Sequence, residues 1–279
     1  MAATTRRGVD GAAVHPAARA AAPRENSAEE DEGWPRLKAR TLVDLVAEAL
    51  MEAAARGKIL PGDRIVEADV TRRLGVSRVP VREALRILES QGVVVNEPYR
   101  GITLTPFSPE RLDDLIETRI SLESTAAARA IREGRNGTRH LAPLQATMGE
   151  LEDAARRGDA YALAVADTRF HRAFCALGGN RVLSELWEGL ARQVTIFFGL
   201  STLGKPMRAI VDEHEKLLAE LRKGDVESMR RAIDDHISVQ NHAVDFAALI
   251  ARRRLERDDP SAPTKPRRGT KKDHGKDKA

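Results

Sequence analysis

The segment from Val70 to Gly101 constrains the fold of this 279-residue chain more than any other stretch. It begins in a short amphipathic helix that ends at Gly75, and Ser77 then stands where a side-chain hydroxyl is expected to cap a second helix, about residues 78–91. Two short strand-forming runs follow within residues 93–105, around a turn that contains proline and glycine. The order helix, tight turn, helix and hairpin predicts a winged helix-turn-helix.

Arginines are concentrated on and before the second helix of this segment. Five arginines and one acidic residue, Glu83, lie between positions 72 and 86. Three of the arginines are spaced at i, i+4 and i+8 and share one outward face: Arg78, Arg82 and Arg86. A guanidinium in the first turns of a helix that enters a DNA major groove can donate two hydrogen bonds to guanine O6 and N7, or bind a phosphate. The pattern predicts DNA contacts by Arg78 and Arg82, with Arg86 as a phosphate contact or a solvated side chain.

The turn and the hairpin add further candidate DNA contacts. Ser77 and the first-turn amides of the recognition helix can hold a backbone phosphate, helped by the helix dipole. Arg100, next to Gly101 at the hairpin tip, can reach the adjacent minor groove or the DNA backbone. The alternative is that these side chains are only solvated. Net charge does not decide between them, because residues 41–104 carry nine basic and nine acidic side chains.

Length and composition predict two domains with polar tails. Residues 1–35 are expected to form a disordered tail, residues 36–107 the DNA-binding domain, residues 108–254 a helical domain and residues 255–279 a basic disordered tail. No apolar run approaches the roughly 20 residues that a membrane span needs, so no membrane partner is expected. The single Cys175 excludes an internal disulfide framework and suits a reducing cytoplasm.

Beyond residue 107 the apolar period is purely helical, in six segments of which the last covers 226–254. Short connections between them predict an all-α bundle, so the fold as a whole is mainly α. Asp167 and His171 are four residues apart and share one helix face, while His214 and His236 lie in two later helices. One carboxylate and three imidazoles suit a divalent transition metal such as Zn, Ni, Mn or Fe. Spacing does not decide whether the three helices converge, and a single histidine is more often a surface or core residue than a ligand.

The run Leu74–Leu85, LGVSRVPVREAL, resembles the winged helix-turn-helix of the GntR family of bacterial transcriptional regulators. The resemblance covers about residues 38–107. It implies that the first two arginines of the recognition helix contact bases and phosphates and that the wing reads the minor groove. The family usually has an arginine at the start of the preceding helix, where this chain has Ala68. Arg72 or Arg73 is expected to substitute for that contact.

The helical domain resembles the FCD effector domain of the FadR-like GntR subfamily. The resemblance rests on ADTRFHRAF at residues 166–174, Gly179-Asn180, Glu213-His214 and His236. It implies a metal-ligand set of Asp167, His171, His214 and His236. It also implies a small carboxylate or sugar-acid effector that completes the metal coordination and pairs with Arg119; the alternative is that Arg119 only pairs with Glu123. A domain of six helices would fit the VanR-like branch.

Together these features predict a ligand-responsive repressor that binds a palindromic DNA operator as a homodimer. One recognition helix reads few base pairs, whereas a two-fold dimer reads two matched half-sites. The small acidic effector is expected to change how the two DNA-binding domains of the dimer are placed relative to each other, and so to change the DNA affinity. Two alternatives are a metal-dependent enzyme, for which no general base or nucleophile can be nominated, and a constitutive DNA-binding protein with a vestigial effector site.

Overall fold

A computed structural model describes residues 41–202, 206–239 and 244–258 of the chain. The predicted N-terminal tail, and residues 259–279 of the C-terminal tail predicted for 255–279, lie outside the described residues. The described part begins with a small domain of helices and one hairpin, and a purely helical domain follows it. The expectation of a mainly α protein built from these two units is confirmed.

The first domain contains three helices and a two-stranded hairpin. In chain order its elements are α1 (Leu42–Ala55), α2 (Glu67–Leu74), α3 (Arg78–Ser90), β1 (Val94–Glu97) and β2 (Gly101–Leu104). Thr41 begins α1 in a capping box with Asp44, and Gly75 ends α2 in the left-handed conformation, with φ of 67°. The strands pair antiparallel, with Val94 opposite Leu104. These local signals produce the helix-turn-helix and its wing.

Ser77 precedes α3 in an extended conformation, but its hydroxyl accepts no hydrogen bond from the helix. The predicted side-chain cap is therefore wrong. The physical reason is Pro80, which occupies the third position of α3, where a capping hydroxyl often finds its amide donor and where proline has none. Ser77 remains exposed at the start of α3, and its contact with a DNA phosphate stays a prediction.

The second domain is built from helices alone in the ranges that the structure describes. They are α4 (Pro109–Arg132), α5 (Thr138–Arg157), α6 (Ala160–Leu177), α7 (Arg181–Ser201), α8 (Met207–Lys223), α9 (Val226–Asp234) and α10 (Phe246–Asp258). A π-helical segment, Asp235–Val239, continues α9. Among the described residues, no helix combines the length and the apolar character that a membrane crossing requires.

The single last helix predicted for 226–254 is wrong. α9 passes into the π-helical segment, and a new helix begins at Phe246, where Asp245 accepts a hydrogen bond from the Ala248 amide at 2.8 Å. Both helices bury an apolar face, so the helical spacing of apolar residues continues across the break. Sequence periodicity therefore does not indicate where one helix ends and the next begins. Over the described ranges the domain therefore has seven helices, not the six that the VanR-like expectation required. The last helix also continues to Asp258, past the predicted domain end.

Helix α7 packs along one side of the DNA-binding domain. Gly199 lies directly against α1, because a Cβ at this position would stand 2.6 Å from the Cβ of Ala55. Further back along α7, Gln193 donates to the Gln91 carbonyl at 2.9 Å and accepts from Arg111 at 2.8 Å. The apolar core runs without interruption from one domain into the other. The two domains are thus packed together rather than joined only by a linker.

Helix α10 adds a second contact between the domains. The ring of Phe246 stacks on Phe107, which follows β2, with the centroids 5.4 Å apart. At the other end of α10, Arg254 donates to the Pro61 carbonyl at 2.7 Å. The last helix of the chain therefore contacts the DNA-binding domain, a placement that sequence periodicity did not indicate.

Candidate DNA-binding surface and metal centre

The outward face of α3 presents the predicted arginines to solvent. Arg78 is exposed at the first residue of the helix, and no acidic side chain among the described residues pairs with it. Arg82 donates to Glu67 at 2.8 Å, and Arg86 donates to Glu83 at 2.8 Å. Exposed pairs of this kind contribute at most about 1 kcal/mol, so a DNA phosphate can replace the acid. The recognition helix carries one unpaired arginine and two that are weakly held.

The other predicted arginines divide in the same way. Arg72 donates to Asp69 at 2.6 Å, and Arg100 in the wing turn donates to Glu97 at 3.1 Å. Arg73 is exposed and pairs with no acid in the part of the chain that the structure describes. Arg72 and Arg73 were the two candidates to make the DNA contact that is missing at Ala68. Of these, Arg73 is the one whose charge is not already neutralised by an acid among the described residues.

Two exposed residues that the sequence reasoning missed lie on this surface. Val79, the second residue of α3, is 69 % exposed, and an apolar side chain there suits contact with a thymine methyl group. Its position directly after Arg78 in the first turn of a recognition helix was the available signal. Tyr99 is fully exposed at the wing tip with φ of 64°, and Gly101 beside it has φ of 77°. No sequence signal distinguished Tyr99 from an ordinary turn residue.

The four predicted metal ligands lie together inside the helical domain. Asp167 and His171 come from α6, His214 from α8 and His236 from the π-helical segment after α9. One ligand atom from each residue lies within 4.8 Å of the others, and all but the half-buried His236 are buried. A π-helical turn is a frequent feature of functional sites, and here it carries the fourth candidate ligand.

Hydrogen bonds behind two of the imidazoles determine where their protons lie. Nδ1 of His214 is 2.8 Å from the Ile210 carbonyl, and Nδ1 of His171 is 2.7 Å from Oε2 of Glu123. A carbonyl and an ionised carboxylate only accept, so both Nδ1 atoms carry the proton. In the neutral ring each Nε2 then presents a lone pair.

These lone pairs and the Asp167 carboxylate face one another. Oδ1 of Asp167 lies 3.0 Å from Nε2 of His214 and 3.7 Å from Nε2 of His171, and the latter is 3.2 Å from Nε2 of His236. With His214 as a neutral ring protonated on Nδ1, neither atom of the 3.0 Å approach carries a proton, so that approach is not a hydrogen bond. Nε2 of His214 and Oδ2 of Asp167 are buried and have no hydrogen-bond partner among the described residues. Buried acceptors without donors are costly, and a cation would satisfy them.

The donor set and its spacing fit a transition metal. Ligands about 2.0–2.2 Å from one ion lie about 3 Å from each other. The separations of 3.0, 3.2 and 3.7 Å given above are of that size, and the whole set lies within 4.8 Å. Burial is the largest influence on the Asp167 carboxyl and would raise its pKa, but the neighbouring His171 and His214 and the more distant Arg119 outweigh it, so that the pKa of Asp167 is lowered. The carboxylate is thus ionised at neutral pH. One oxygen and three nitrogens suit Zn, Ni, Mn or Fe without selecting among them.

A buried carboxylate that sequence reasoning did not assign to the site lies behind these ligands. Glu123 of α4 is completely buried; its Oε1 accepts from Nε of Arg119 and from Nε1 of Trp187, each at 3.1 Å. Burial opposes its ionisation, but His171, then Arg119 and Trp187, together lower the pKa of Glu123 to about 2. Its spacing from Arg119 predicted that pair, yet no local rule predicts the contact with His171, 48 residues away.

Arg119 makes the contact with Glu123 that one of its two interpretations expected, and its contact with an effector stays a prediction. It pairs with Glu123, as the simpler reading expected, and it is buried. Its Nη2 nevertheless has no hydrogen-bond partner within the described structure. Arg119 therefore retains a buried donor that an anionic group can use.

Comparison with known protein families gives two matches. Residues 42–104 match the gntR family of bacterial regulatory proteins, and residues 114–239 match the FCD domain. The first range covers the helix-turn-helix and its wing, and the second includes the four candidate metal ligands, Arg119 and Glu123.

Individual proteins cover both domains. The chain is 28 % identical over 218 residues to the HTH-type transcriptional regulator McbR of Escherichia coli. The matched stretch covers 76 % of this chain and 96 % of McbR. The chain is 32 % identical over 135 residues, 48 % of this chain and 79 % of the relative, to an HTH-type transcriptional regulator of Agrobacterium vitis. A "Probable D-xylose utilization operon transcriptional repressor" of Paenarthrobacter nicotinovorans is 25 % identical over 203 residues, 73 % of this chain and 88 % of the relative.

A solved structure of E. coli McbR/YncC has the same fold. It covers 77 % of this chain and 99 % of its own, with a TM-score of 0.60 and 24 % identity.

Proposed function

Because the chain belongs to the GntR family of bacterial transcriptional regulators and joins its helix-turn-helix to an FCD domain, we propose that it is a metal-dependent repressor that responds to a small acidic metabolite. The general function is that of a DNA-binding transcriptional regulator, and the relatives are regulators rather than enzymes. The observation that carries the sensing function is the pair of buried acceptors without hydrogen-bond partners on Asp167 and His214, within a cluster of four possible ligands that a cation would satisfy.

The DNA-bound form in this proposal is a cytoplasmic homodimer on a palindromic operator. Each α3 offers one turn of side chains to a groove, Arg78 to Arg82, and this reads only a few base pairs. Two copies related by a two-fold axis read two half-sites and gain the affinity that one lacks. Repression is supported by the name of the relative from P. nicotinovorans.

The effector in this proposal is a small carboxylate or sugar acid bound between the metal centre and Arg119. A bound metal supplies a positive centre with affinity for carboxylate oxygen. The unused Nη2 of Arg119 supplies a charged hydrogen-bond donor for another oxygen of the same molecule. Asp167, His171, His214 and His236 hold the ion, and Glu123 keeps the His171 lone pair facing it. The effector binds one relative placement of the two DNA-binding domains more tightly than the other. Operator affinity changes by this difference in binding free energy.

The test begins with an operator selected from random double-stranded DNA by the purified protein. Operator affinity is then measured for zinc- or nickel-loaded and chelator-treated protein, with a panel of small carboxylates and sugar acids. We expect at least one acid to change the affinity of the metal-loaded protein by about 5- to 150-fold, the usual range of such coupling. The change should disappear after chelation and in Arg119→Met. A protein that binds no metal and responds to no acid would instead be a constitutive regulator.

A further inference from the structure

Glu123 contacts one candidate metal ligand, His171, and also Arg119 and Trp187, with its two carboxylate oxygens. Among the residues that the structure describes, Oε2 accepts from His171 alone, at 2.7 Å, on the side of the candidate metal centre. Oε1 is shared between Arg119 and Trp187, both at 3.1 Å. Three separate helices, α4, α6 and α7, therefore meet at one carboxylate that solvent does not reach.

A charged group in this place is costly to bury, so packing does not explain its presence. Removing a carboxylate from water is unfavourable unless its oxygens are fully satisfied, and an apolar residue would fill the same space at lower cost. What the carboxylate supplies is orientation. As an acceptor for Nδ1 it keeps the lone pair of His171 on Nε2, and as an acceptor for Nε it fixes the Arg119 guanidinium with Nη2 still unused.

Trp187 connects this carboxylate to the DNA-binding domain through one continuous helix. The indole is completely buried and lies on α7, whose later residue Gly199 is packed against Ala55 of α1. Between positions 187 and 199 the helix runs about 18 Å at 1.5 Å per residue. Because both ends of this stretch are tightly packed, a displacement at Glu123 has a rigid element on which to act.

We propose that Glu123 is a positioning residue that holds His171 for the metal and Arg119 for the acidic effector, and that reports the state of the site to α7 through Trp187. This rests on the proposed function of the site as a metal-dependent sensor.

The first arm of the test compares Glu123→Gln with Glu117→Gln, an exposed position on the same helix. Zinc affinity is measured by competition with a chromophoric chelator, and the rise in melting temperature caused by zinc is measured for each variant. Glu123→Gln should weaken zinc binding about 10- to 100-fold, the usual effect of losing the group behind a metal-bound histidine, and should reduce the zinc-induced rise. Glu117→Gln should change neither. If Glu123→Gln lowers the melting temperature of the chelated protein but leaves zinc affinity within twofold, its role is only structural and the proposal is overturned.

The second arm retains Glu123 and so does not depend on the folding of its variant. The chain has two tryptophans, Trp34 and Trp187, so Trp34→Phe leaves Trp187 as the single emitter. Its emission should change on zinc addition and saturate at the zinc concentration found by chelator competition. Zinc that binds without any change in emission would refute the link to α7. A wild-type protein that binds no zinc or other transition metal would refute the proposed function itself, which is a separate result.

Discussion

Replacement of His214 by alanine tests the metal centre most directly. The imidazole is fully buried, is bonded through Nδ1 to the Ile210 carbonyl and places Nε2 3.0 Å from Asp167. Its removal leaves a cavity, which costs about 2–5 kcal/mol by comparison with other large-to-small core changes, whether or not metal is present. It also removes one of four ligands.

The metal-dependent part of the stability separates these two effects. At a free metal concentration of 100 times the Kd, binding stabilises the native protein by about 2.7 kcal/mol. A 100-fold weaker site at the same concentration gains only about 0.4 kcal/mol, so His214→Ala should lose about 2.3 kcal/mol of metal-induced stabilisation. Urea unfolding with zinc and with chelator measures this increment, and the cavity cost cancels in the difference.

The control for this experiment is His140→Ala, which removes an exposed histidine from α5. It should retain the full zinc increment. If His214→Ala gains as much stability from zinc as the wild type does, or if both variants lose the increment equally, the four residues do not form the metal site.

Three further predictions concern the DNA-binding domain and its attachment. Arg78→Ala should weaken binding to the selected operator by about 1–3 kcal/mol in fluorescence anisotropy, with a smaller loss on random DNA; equal losses would mean a phosphate contact only. Glu67→Gln removes the acid that pairs with Arg82 and should raise operator affinity by no more than about fivefold at low salt. A decrease in affinity would show that the pair is needed in the DNA-bound state. Gly199→Ala would place a Cβ 2.6 Å from that of Ala55, so the cost should lie in the upper part of the overpacking range of about 1–3 kcal/mol, exceed the gain in helix propensity of about 1 kcal/mol and lower the free energy of unfolding. Gly189→Ala, which has open space around it, should raise the free energy of unfolding.

The elements of the DNA-binding domain could be predicted from sequence because their signals are local. Left-handed glycines and apolar spacing act within a few residues of each other, and the end of α2 at Gly75 and the start of α3 lie where they were expected. The same local reading failed at Ser77, where the capping rule ignored the missing amide of Pro80. It also failed at the break before Phe246, because two helices that bury the same kind of face look continuous in sequence.

For the candidate metal centre the sequence determined less, and the reason is the range of the interactions. The spacing of Asp167 and His171 places both on one face of a helix, since four residues make about one turn. Whether His214 and His236 reach that face depends on how α8 and the π-helical segment pack against α6. Glu123 shows the limit most clearly, because only the packing of α4 against α6 and α7 brings its oxygens to His171 and Trp187. The sequence by itself determined the helices and the chemistry of the side chains; the tertiary structure decided which of those side chains share a site, because interhelical packing depends on the whole core rather than on neighbours in the chain.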